Sequence, residues 1–189
     1  MRFDTEAKNW DKLDRRQKLA NAVCEYVKNN VSKNDTLMDF GCGTGLVGIC
    51  LAKYVQEVVG IDLSKEMINQ FNNKAKNLDN VIGICENVKN INKKFDVIVS
   101  SMTFHHIENI KEMLGILADK LNKNGKLFIA DLVSEDGSFH DKGNNDVFHL
   151  GFEKNDFKSE YFDIVEFEVI HSVQKHKKFD IFIAYLEKR

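Results

Sequence analysis

The chain has 189 residues, of which 43% are hydrophobic and 30% are charged, and its formal net charge is −2. This length and composition predict one globular domain, and the slightly negative charge argues against bulk nucleic acid as the main partner. No apolar run reaches the roughly 18 residues that a membrane span needs, and the first residues lack the apolar stretch of a secretory signal. We therefore expect a cytoplasmic protein without a membrane span.

The cysteines support the same expectation. They form no Cys-x-x-Cys motif, and this argues against both a zinc cage and a disulfide framework. We expect all of them to be reduced: Cys24, Cys42, Cys50 and Cys85.

Helix and strand patterns alternate along the first half of the chain. Apolar residues that include Leu19 and Val23 mark one face of a helix over about residues 12–29. Short apolar runs then predict buried strands, and the side chain of Ser64 is suited to an N-cap. The predicted elements are strand 36–40, helix 46–54, strand 57–62, a helix that begins after Ser64, and strand 81–85.

The second half continues the alternation and then changes. Strand 95–100, a helix with an apolar stripe over 110–121 and strand 126–131 complete a series of strand–helix–strand units. Such units assemble into a parallel sheet with helices on both faces. Strands 164–170 and 179–185 are separated by a polar, lysine-rich turn and read as a hairpin, so one closing strand should be antiparallel. The long connection 134–152 is a candidate functional segment.

A glycine loop and an aspartate mark the predicted ligand site. Gly41, Gly43 and Gly45 follow the first strand, and Asp62 ends the second. Ligands of open α/β sheets bind at the carboxyl ends of the strands, where a carboxylate can accept hydrogen bonds from both hydroxyls of a ribose. The third glycine comes one residue too early for a dinucleotide fingerprint. Asp39 lies close before the loop and favours a ligand with an amino group over a pyrophosphate.

Four stretches carry a resemblance to a known family: residues 39–45, 59–64, 95–101 together with His105-His106, and 121–127. They resemble the motifs of class I S-adenosylmethionine-dependent methyltransferases, of the small-molecule type that includes the ubiquinone and menaquinone methyltransferases. The fourth stretch usually contains a proline, which this chain lacks. The resemblance implies a Rossmann-like α/β fold with a seven-stranded, mostly parallel sheet and an antiparallel C-terminal hairpin strand. It also implies a single domain over 1–189, with an N-terminal helical lid at 1–30 and an acceptor-side insertion at 133–160.

The resemblance also implies which residues bind S-adenosylmethionine. The glycine loop would pass under the methionine part, Asp62 would hold the ribose, and Leu63 and Met67 would lie near the adenine. Glu86 stands where this family usually has aspartate, and would accept a hydrogen bond from the adenine amino group. The full predicted set is Asp39, Gly41, Cys42, Gly43, Asp62, Leu63, Met67, Glu86, Asn87 and Ser101.

Catalytic and metal-binding roles are less clearly indicated. His105 and His106 follow the fourth strand, near the expected position of the methyl group, and His106 is the candidate general base for a hydroxyl acceptor. The alternative is that both histidines only brace the loop. His140 and His149, with Asp136, lie in a stretch that resembles part of some small-molecule methyltransferases, but their spacing does not indicate a metal site. We expect no metal.

The predicted function is methyl transfer from S-adenosylmethionine to a small-molecule acceptor by in-line displacement. Methylation of RNA or protein is one alternative, although no basic stripe is evident. A second alternative is a module that binds S-adenosylmethionine without catalysis, and a nicotinamide dehydrogenase is a more distant one. The sequence leaves the acceptor, the acceptor atom and the choice between monomer and dimer open.

Overall fold

The structure is a computed structural model that describes residues 2–140 and 146–189. Met1 of the predicted lid and residues 141–145 of the predicted insertion lie outside the described residues. The described helices are α1 (Arg2–Glu6), α2 (Asp14–Lys28), α3 (Leu46–Leu51), α4 (Lys65–Ala75) and α5 (Ile110–Asp119). Short 3₁₀ turns include Ala7–Lys12, between α1 and α2, and Phe104–His106, before α5.

The described residues contain seven strands, which form one sheet. They are β1 (Thr36–Phe40), β2 (Glu57–Asp62), β3 (Val81–Cys85), β4 (Phe95–Ser101), β5 (Leu121–Leu132), β6 (Phe162–Gln174) and β7 (Lys178–Lys188). Their order across the sheet is β3-β2-β1-β4-β5-β7-β6. The first five strands are parallel to one another, and β7 is antiparallel to both β5 and β6. The predicted fold class and its antiparallel closing strand are confirmed.

The central strands of the sheet are buried on both faces. Consecutive residues of a strand point to opposite sides, and in β1 both Leu37 and Met38 are completely buried. Leu37 belongs to a core formed with α2 and α3, whereas Met38 belongs to one formed with α5. Burial on both faces explains why these strands read as continuous apolar runs rather than as an alternation.

The last three strands, β5, β6 and β7, are longer than their sequence patterns predict. β5 begins at Leu121 because this residue pairs with Phe95 across a register shift in β4. β6 is an edge strand, paired only with β7, and its exposed positions include Glu166 and Glu168. An edge strand tolerates such polar residues because one side faces water, so its apolar pattern is too short to show its full length.

The expectation that every cysteine is reduced is wrong for two of them. Cys24 on α2 and Cys50 on α3 form a disulfide, with their Cα atoms 6.3 Å apart. The two helices pack against the same face of the sheet, so tertiary contact brings together residues that share no sequence motif. Cys42 and Cys85 are free thiols.

Chain order reverses beside β1, which lies between β2 and β4. This is the topological switch point of the sheet, where open α/β folds leave a crevice at the carboxyl ends of the strands. The crevice is where the predicted site residues lie. In the described part of the chain, every helix is too short or too polar to cross a lipid bilayer.

Candidate functional site

The loop after β1 is held in a left-handed backbone conformation. Gly41 and Gly43 have φ angles of 69° and 51°, which glycine adopts without steric cost. The loop also approaches the end of β4 closely, because a Cβ atom on Gly41 would lie 2.3 Å from Thr103 Oγ1. The backbone N–H groups of Gly41 and Cys42 donate to the Ile61 carbonyl oxygen at 2.8 and 3.1 Å, and fix the loop beside the end of β2.

Asp62 is oriented by the backbone around it. Its Oδ2 accepts a hydrogen bond from the Gly43 N–H at 2.9 Å, and its Oδ1 accepts one from the Ser64 N–H at 2.8 Å. Each carboxylate oxygen has two lone pairs, so both oxygens retain a site for a ligand hydroxyl. Ser64 is also the N-cap of α4, where its Oγ accepts from the Met67 N–H.

Asp39 lies beneath the glycine loop and is almost fully buried. Its Oδ2 accepts a hydrogen bond from the Gly48 N–H at 2.9 Å. Burial raises the pKa of Asp39 to about 7, and the negative charge of Asp62 contributes to the increase. A cationic group that enters the cavity would therefore be stabilised by ionisation of Asp39.

The opposite end of the loop is flanked by the predicted adenine residues. Leu63 is exposed, whereas Met67 is buried. Glu86 Oε1 accepts hydrogen bonds from the Asn87 N–H at 2.7 Å and from Asn90 Nδ2 at 2.9 Å, and these bonds lower its pKa. Asn87 uses its own side-chain oxygen to accept the Lys89 N–H. The Glu86 carboxylate is thus ionised and held at the rim.

One cavity of about 570 Å³ brings together the predicted cofactor residues and the predicted base, whereas Gly45, the third glycine of the loop, is not among its lining residues. It lies at the carboxyl ends of the parallel strands, and its lining includes the predicted cofactor residues and the predicted base. These are Asp39, Gly41, Cys42, Gly43, Asp62, Leu63, Met67, Glu86, Asn87, Ser101 and His106.

Two residues beside the loop have clear structural roles. Cys42 is buried, and this burial raises the pKa of its thiol well above the usual value, so the thiol stays protonated at neutral pH. Thr103, which is not among the predicted site residues, places its Oγ1 3.3 Å from the Gly41 carbonyl oxygen and 3.2 Å from that of Ser101. Thr103 therefore links the glycine loop to the end of β4.

The far wall of the cavity is formed by histidines. His106 Nδ1 lies 2.5 Å from the backbone oxygen of Asp146, and its ring packs edge-on against Phe3 at 5.4 Å. Burial lowers the pKa of His106, and the neighbouring His105 lowers it further. His106 is in the predicted place, and its role as a base stays a prediction.

His105 makes a different contact, one that the sequence did not reveal. Its Nδ1 lies 2.8 Å from Oδ1 of Asp131, which is completely buried at the end of β5. The same carboxylate accepts the backbone N–H groups of His105 and Leu132. The ring of His140 packs 4.8 Å from that of His105. The sequence feature that could have pointed to this contact was the position of Asp131 at the end of a predicted strand.

The other polar residues of the long connection are engaged elsewhere. His149 Nε2 lies 2.9 Å from the Ile107 carbonyl oxygen, and Asp136 forms an ion pair with Lys177 at 2.6 Å. Within residues 2–140 and 146–189, no group of three histidine, cysteine or acidic side chains is arranged to hold a metal ion.

The N-terminal segment covers the cavity from one side. Phe3 and Trp10 line the cavity and pack edge to face at 5.9 Å. The guanidinium of Arg16 stacks on Trp10, 3.4 Å from the ring centroid. Asp11 accepts a hydrogen bond from Thr44 Oγ1 at 2.5 Å and pairs with Lys74 at 2.6 Å, so the segment is fastened to both the glycine loop and α4.

A family model described as a methyltransferase domain matches residues 12–170. The chain belongs to this methyltransferase domain family. The matched range contains the glycine loop, Asp62 and the histidine wall, so the resemblance proposed from the sequence motifs is confirmed at the level of the family.

Curated relatives of this methyltransferase domain agree with that placement. An uncharacterised methyltransferase of Schizosaccharomyces pombe is 34% identical over 119 residues, which are 56% of this chain and 41% of the relative. A ubiquinone biosynthesis O-methyltransferase of Pelagibacter ubique is 38% identical over 123 residues, 57% of this chain and 51% of the relative. The chain thus spans about half the length or less of these two proteins.

The fold also matches solved structures. The N-methyltransferase NodS from Bradyrhizobium japonicum, in complex with S-adenosyl-L-homocysteine, aligns with a TM-score of 0.74 at 14% identity, over 95% of this chain and 90% of NodS. At this identity the likeness shows the fold of the methyltransferase domain.

Proposed function

We propose that this methyltransferase domain binds S-adenosylmethionine in the cavity and transfers its methyl group to a small-molecule acceptor. The observation that carries the proposal is the shape of one cavity, with the glycine loop and Asp62 on one side and the histidines on the other. S-adenosylmethionine supplies a methyl group on a positively charged sulfur, and the chain's part is to orient both reactants and exclude water.

The polar groups of the cavity fit this cofactor. Asp62 retains lone pairs for two ribose hydroxyls, and Asp39 offers a buried carboxyl near the position expected for an ammonium group. The methionine part would contact the loop Gly41–Gly43, which includes Cys42, and the end of β4 at Ser101. The adenine would be held by the four remaining predicted residues: Leu63, Met67, Glu86 and Asn87.

A small acceptor is favoured by the way the cavity is covered. The N-terminal segment is fastened over it through Asp11, and Trp10 and Phe139 contribute aromatic surface to its lining. A covered, aromatic cavity suits a compact organic molecule better than an RNA or protein chain. Solved structures of the same fold include coclaurine N-methyltransferase bound to N-methylheliamine and S-adenosylhomocysteine, which agrees with this choice.

Thermal unfolding with S-adenosylmethionine, S-adenosylhomocysteine or NAD tests the cofactor. Ligand at 100 times its Kd stabilises the protein by about 2.7 kcal/mol, or roughly 5–10 °C at about 2–4 °C per kcal/mol. We expect this shift with both sulfur ligands. Asp62→Ala should abolish it, whereas Asp136→Ala, which removes an exposed carboxylate outside the cavity lining, should not. A shift with NAD alone would contradict the proposal.

Turnover distinguishes an enzyme from a binding module. Methyl-labelled S-adenosylmethionine and a fractionated small-molecule extract should give a labelled product in an enzyme, and binding without transfer to any fraction would favour the module.

The cytoplasmic location stays a prediction. The disulfide between Cys24 and Cys50 does not support it, because disulfides are rare in reducing compartments.

A further inference from the structure

One side chain of the histidine wall, His105, is held by a completely buried carboxylate. Asp131 accepts a hydrogen bond from the His105 ring at Nδ1 and another from the His105 backbone N–H, so both ring and backbone are fixed. We propose that His105, positioned by Asp131, is the general base of this site and that the acceptor is an aromatic hydroxyl compound, such as a phenol. This inference rests on the proposed methyl transfer and adds the acceptor class and the proton acceptor.

The tautomer of His105 follows from its partner. The Asp131 carboxylate only accepts hydrogen bonds, so Nδ1 carries the hydrogen and Nε2 carries the free lone pair. Among the described residues Nε2 has no hydrogen-bond partner, and His105 lines the cavity. A base oriented through one nitrogen and free at the other is the arrangement used by histidine bases held by aspartate.

His105 is better suited than His106 to take up a proton. The imidazolium of His105 would lie against a completely buried carboxylate at 2.8 Å. His106 has a backbone oxygen at Nδ1 and a carboxylate of Asp146 at 3.9 Å that is 38% exposed, so water screens that charge. Burial and the proximity of His105 also lower the pKa of His106, which opposes its protonation.

Asp131 is the negative group that would balance the charge of a protonated His105, because the other neighbouring groups are neutral or engaged elsewhere. Burial, together with the adjacent His105 and His106, lowers the pKa of His140 to about 4, so His140 is neutral near pH 7. The Lys175 ammonium is drawn to the Phe139 carbonyl oxygen and ring rather than to the histidines. The titratable groups that face this wall from all sides are His106, Asp131, His140, Asp146 and Lys175.

The lining beside the histidines indicates the body of the acceptor. Its apolar part is largely aromatic and has side chains from the N-terminal segment, the residues after β4, the connection after β5, and β6, while Arg15, Arg16 and Lys175 line the same cavity. A flat aryl ring matches such a surface through stacking and edge contacts. The contributing residues are Phe3, Trp10, Met102, Phe139 and Val173.

A general base is needed only if the acceptor loses a proton as it reacts. In the proposed step, the hydroxyl proton moves to Nε2 of His105 and a lone pair of the hydroxyl oxygen forms the new bond to the methyl carbon. The carbon–sulfur bond breaks, and its electron pair remains on sulfur as a neutral thioether. Asp131 stabilises the imidazolium, which returns its proton to water before the next turnover. A neutral amine attacks with its own lone pair and does not need His105 and Asp131 as a base.

Matched acceptors and variants test this proposal with the full chain. The probes are 2-naphthol, 2-naphthylamine and 4-nitrophenol, with methyl-labelled S-adenosylmethionine as donor. We expect wild-type protein to methylate 2-naphthol, and His105→Gln to lower kcat/KM by 100-fold or more, as loss of a general base does. His106→Gln should lose less than tenfold, and His171→Gln, on β6 outside the cavity lining, should lose nothing.

Two further readouts separate a chemical role from a structural one. The pH profile of kcat/KM for 2-naphthol should rise with one ionisation in wild-type protein, and this limb should vanish in His105→Gln. The loss should also be smaller for 4-nitrophenol, because this more acidic phenol needs less help to ionise. Asp131→Asn should reduce kcat more than it changes KM, because it disturbs the orientation and tautomer of the base without touching the acceptor.

Thermal shifts with S-adenosylhomocysteine show whether each variant is folded and binds the cofactor. If the shifts are normal, equal activity of His105→Gln and wild-type protein would overturn the proposal. So would methylation of 2-naphthylamine but not 2-naphthol, or no methylation of either phenol by wild-type protein. If wild-type protein shows no shift with either sulfur ligand, the proposed cofactor itself fails, and this outcome is distinct from the others.

Discussion

At the scale of single residues, close packing explains why small side chains surround the glycine loop. Gly60 lies in the middle of β2, where a Cβ atom would come within 2.5 Å of the Phe71 ring and 2.9 Å of Cys42 Sγ. Phe71 is completely buried and packs in one cluster with Cys42. The position of α4, and with it the wall that carries Met67, therefore depends on the absence of a side chain at Gly60.

Gly60→Ala should destabilise the protein by about 1–3 kcal/mol, because a methyl group must be inserted into a filled core. Urea unfolding followed by circular dichroism measures the change. Gly115→Ala on α5 is the matched control: its nearest neighbour is Tyr161 at 3.2 Å, whose ring is partly exposed. Alanine at that helical position should be neutral or stabilising by up to about 1 kcal/mol. Equal destabilisation by both changes would contradict the packing argument.

The sequence revealed some residue pairs of the site and concealed others. Asp62 and the glycines were recognisable because strand, loop and carboxylate follow one another in a fixed local order. The contact between His105 and Asp131 was not recognisable, because it depends on the register that places Ser101 of β4 beside Ala130 of β5. A long-range register of this kind leaves no local pattern in either segment.

At the scale of elements, the N-terminal segment is joined to the rest of the molecule by specific polar contacts. Thr44 is buried, and its hydroxyl is donated to Asp11. The second oxygen of Asp11 pairs with Lys74 on α4. One side chain thus couples the 3₁₀ turn Ala7–Lys12 to two walls of the cavity.

Asp11→Ala should loosen the segment over the cavity and weaken binding of S-adenosylhomocysteine by about 5- to 30-fold. The reason is that the buried Thr44 hydroxyl would lose its partner, at a cost of about 1–3 kcal/mol. The free protein would then leave the segment loose, and part of the binding free energy would be spent on ordering it again. Calorimetric titration measures the affinity, and hydrogen exchange of residues 3–12 measures the loosening. Asp14→Ala, which removes an exposed pairing with Lys18, is the control and should change neither. Unaltered exchange in Asp11→Ala would refute the coupling.

The lengths of the elements show how far local patterns reach. The strands β1, β2, β4 and β5 were recognisable because burial on both faces demands unbroken apolar runs. The predicted helix over 12–29 begins at Asp14 in the structure, because Ala7–Lys12 forms a 3₁₀ turn instead. β6 was underestimated, since an edge strand carries polar residues on its exposed side. The single-domain boundaries, lid and insertion remain predictions.

At the scale of the whole molecule, the disulfide between Cys24 and Cys50 is the correction with the widest effect. It joins α2 to α3 across 26 residues of sequence. Loop-closure entropy alone assigns a bond of this span about 3.5 kcal/mol of stabilisation. No sequence rule paired these cysteines, because their approach is a product of helix packing.

Cys50→Ser should lower the free energy of unfolding by about 2–4 kcal/mol, as measured by urea unfolding under non-reducing conditions. Cys85→Ser, which replaces an exposed free thiol, should have little effect. Alkylation of the denatured protein should count two reactive thiols before reduction and four after it. Four reactive thiols in protein alkylated at the moment of cell lysis would show that the bond is absent in the cell.

The same bond decides how the cavity can open. With α2 locked to α3, the wall made by Leu19, Ala20 and Val47 cannot swing outwards. Movement is left to the N-terminal segment before α2, whose Phe3 packs against His106 and whose Asp11 is fastened to Thr44 of the glycine loop. Because this one segment contacts both the histidine side and the glycine-loop side, its release would open the cavity to the nucleoside and the acceptor together.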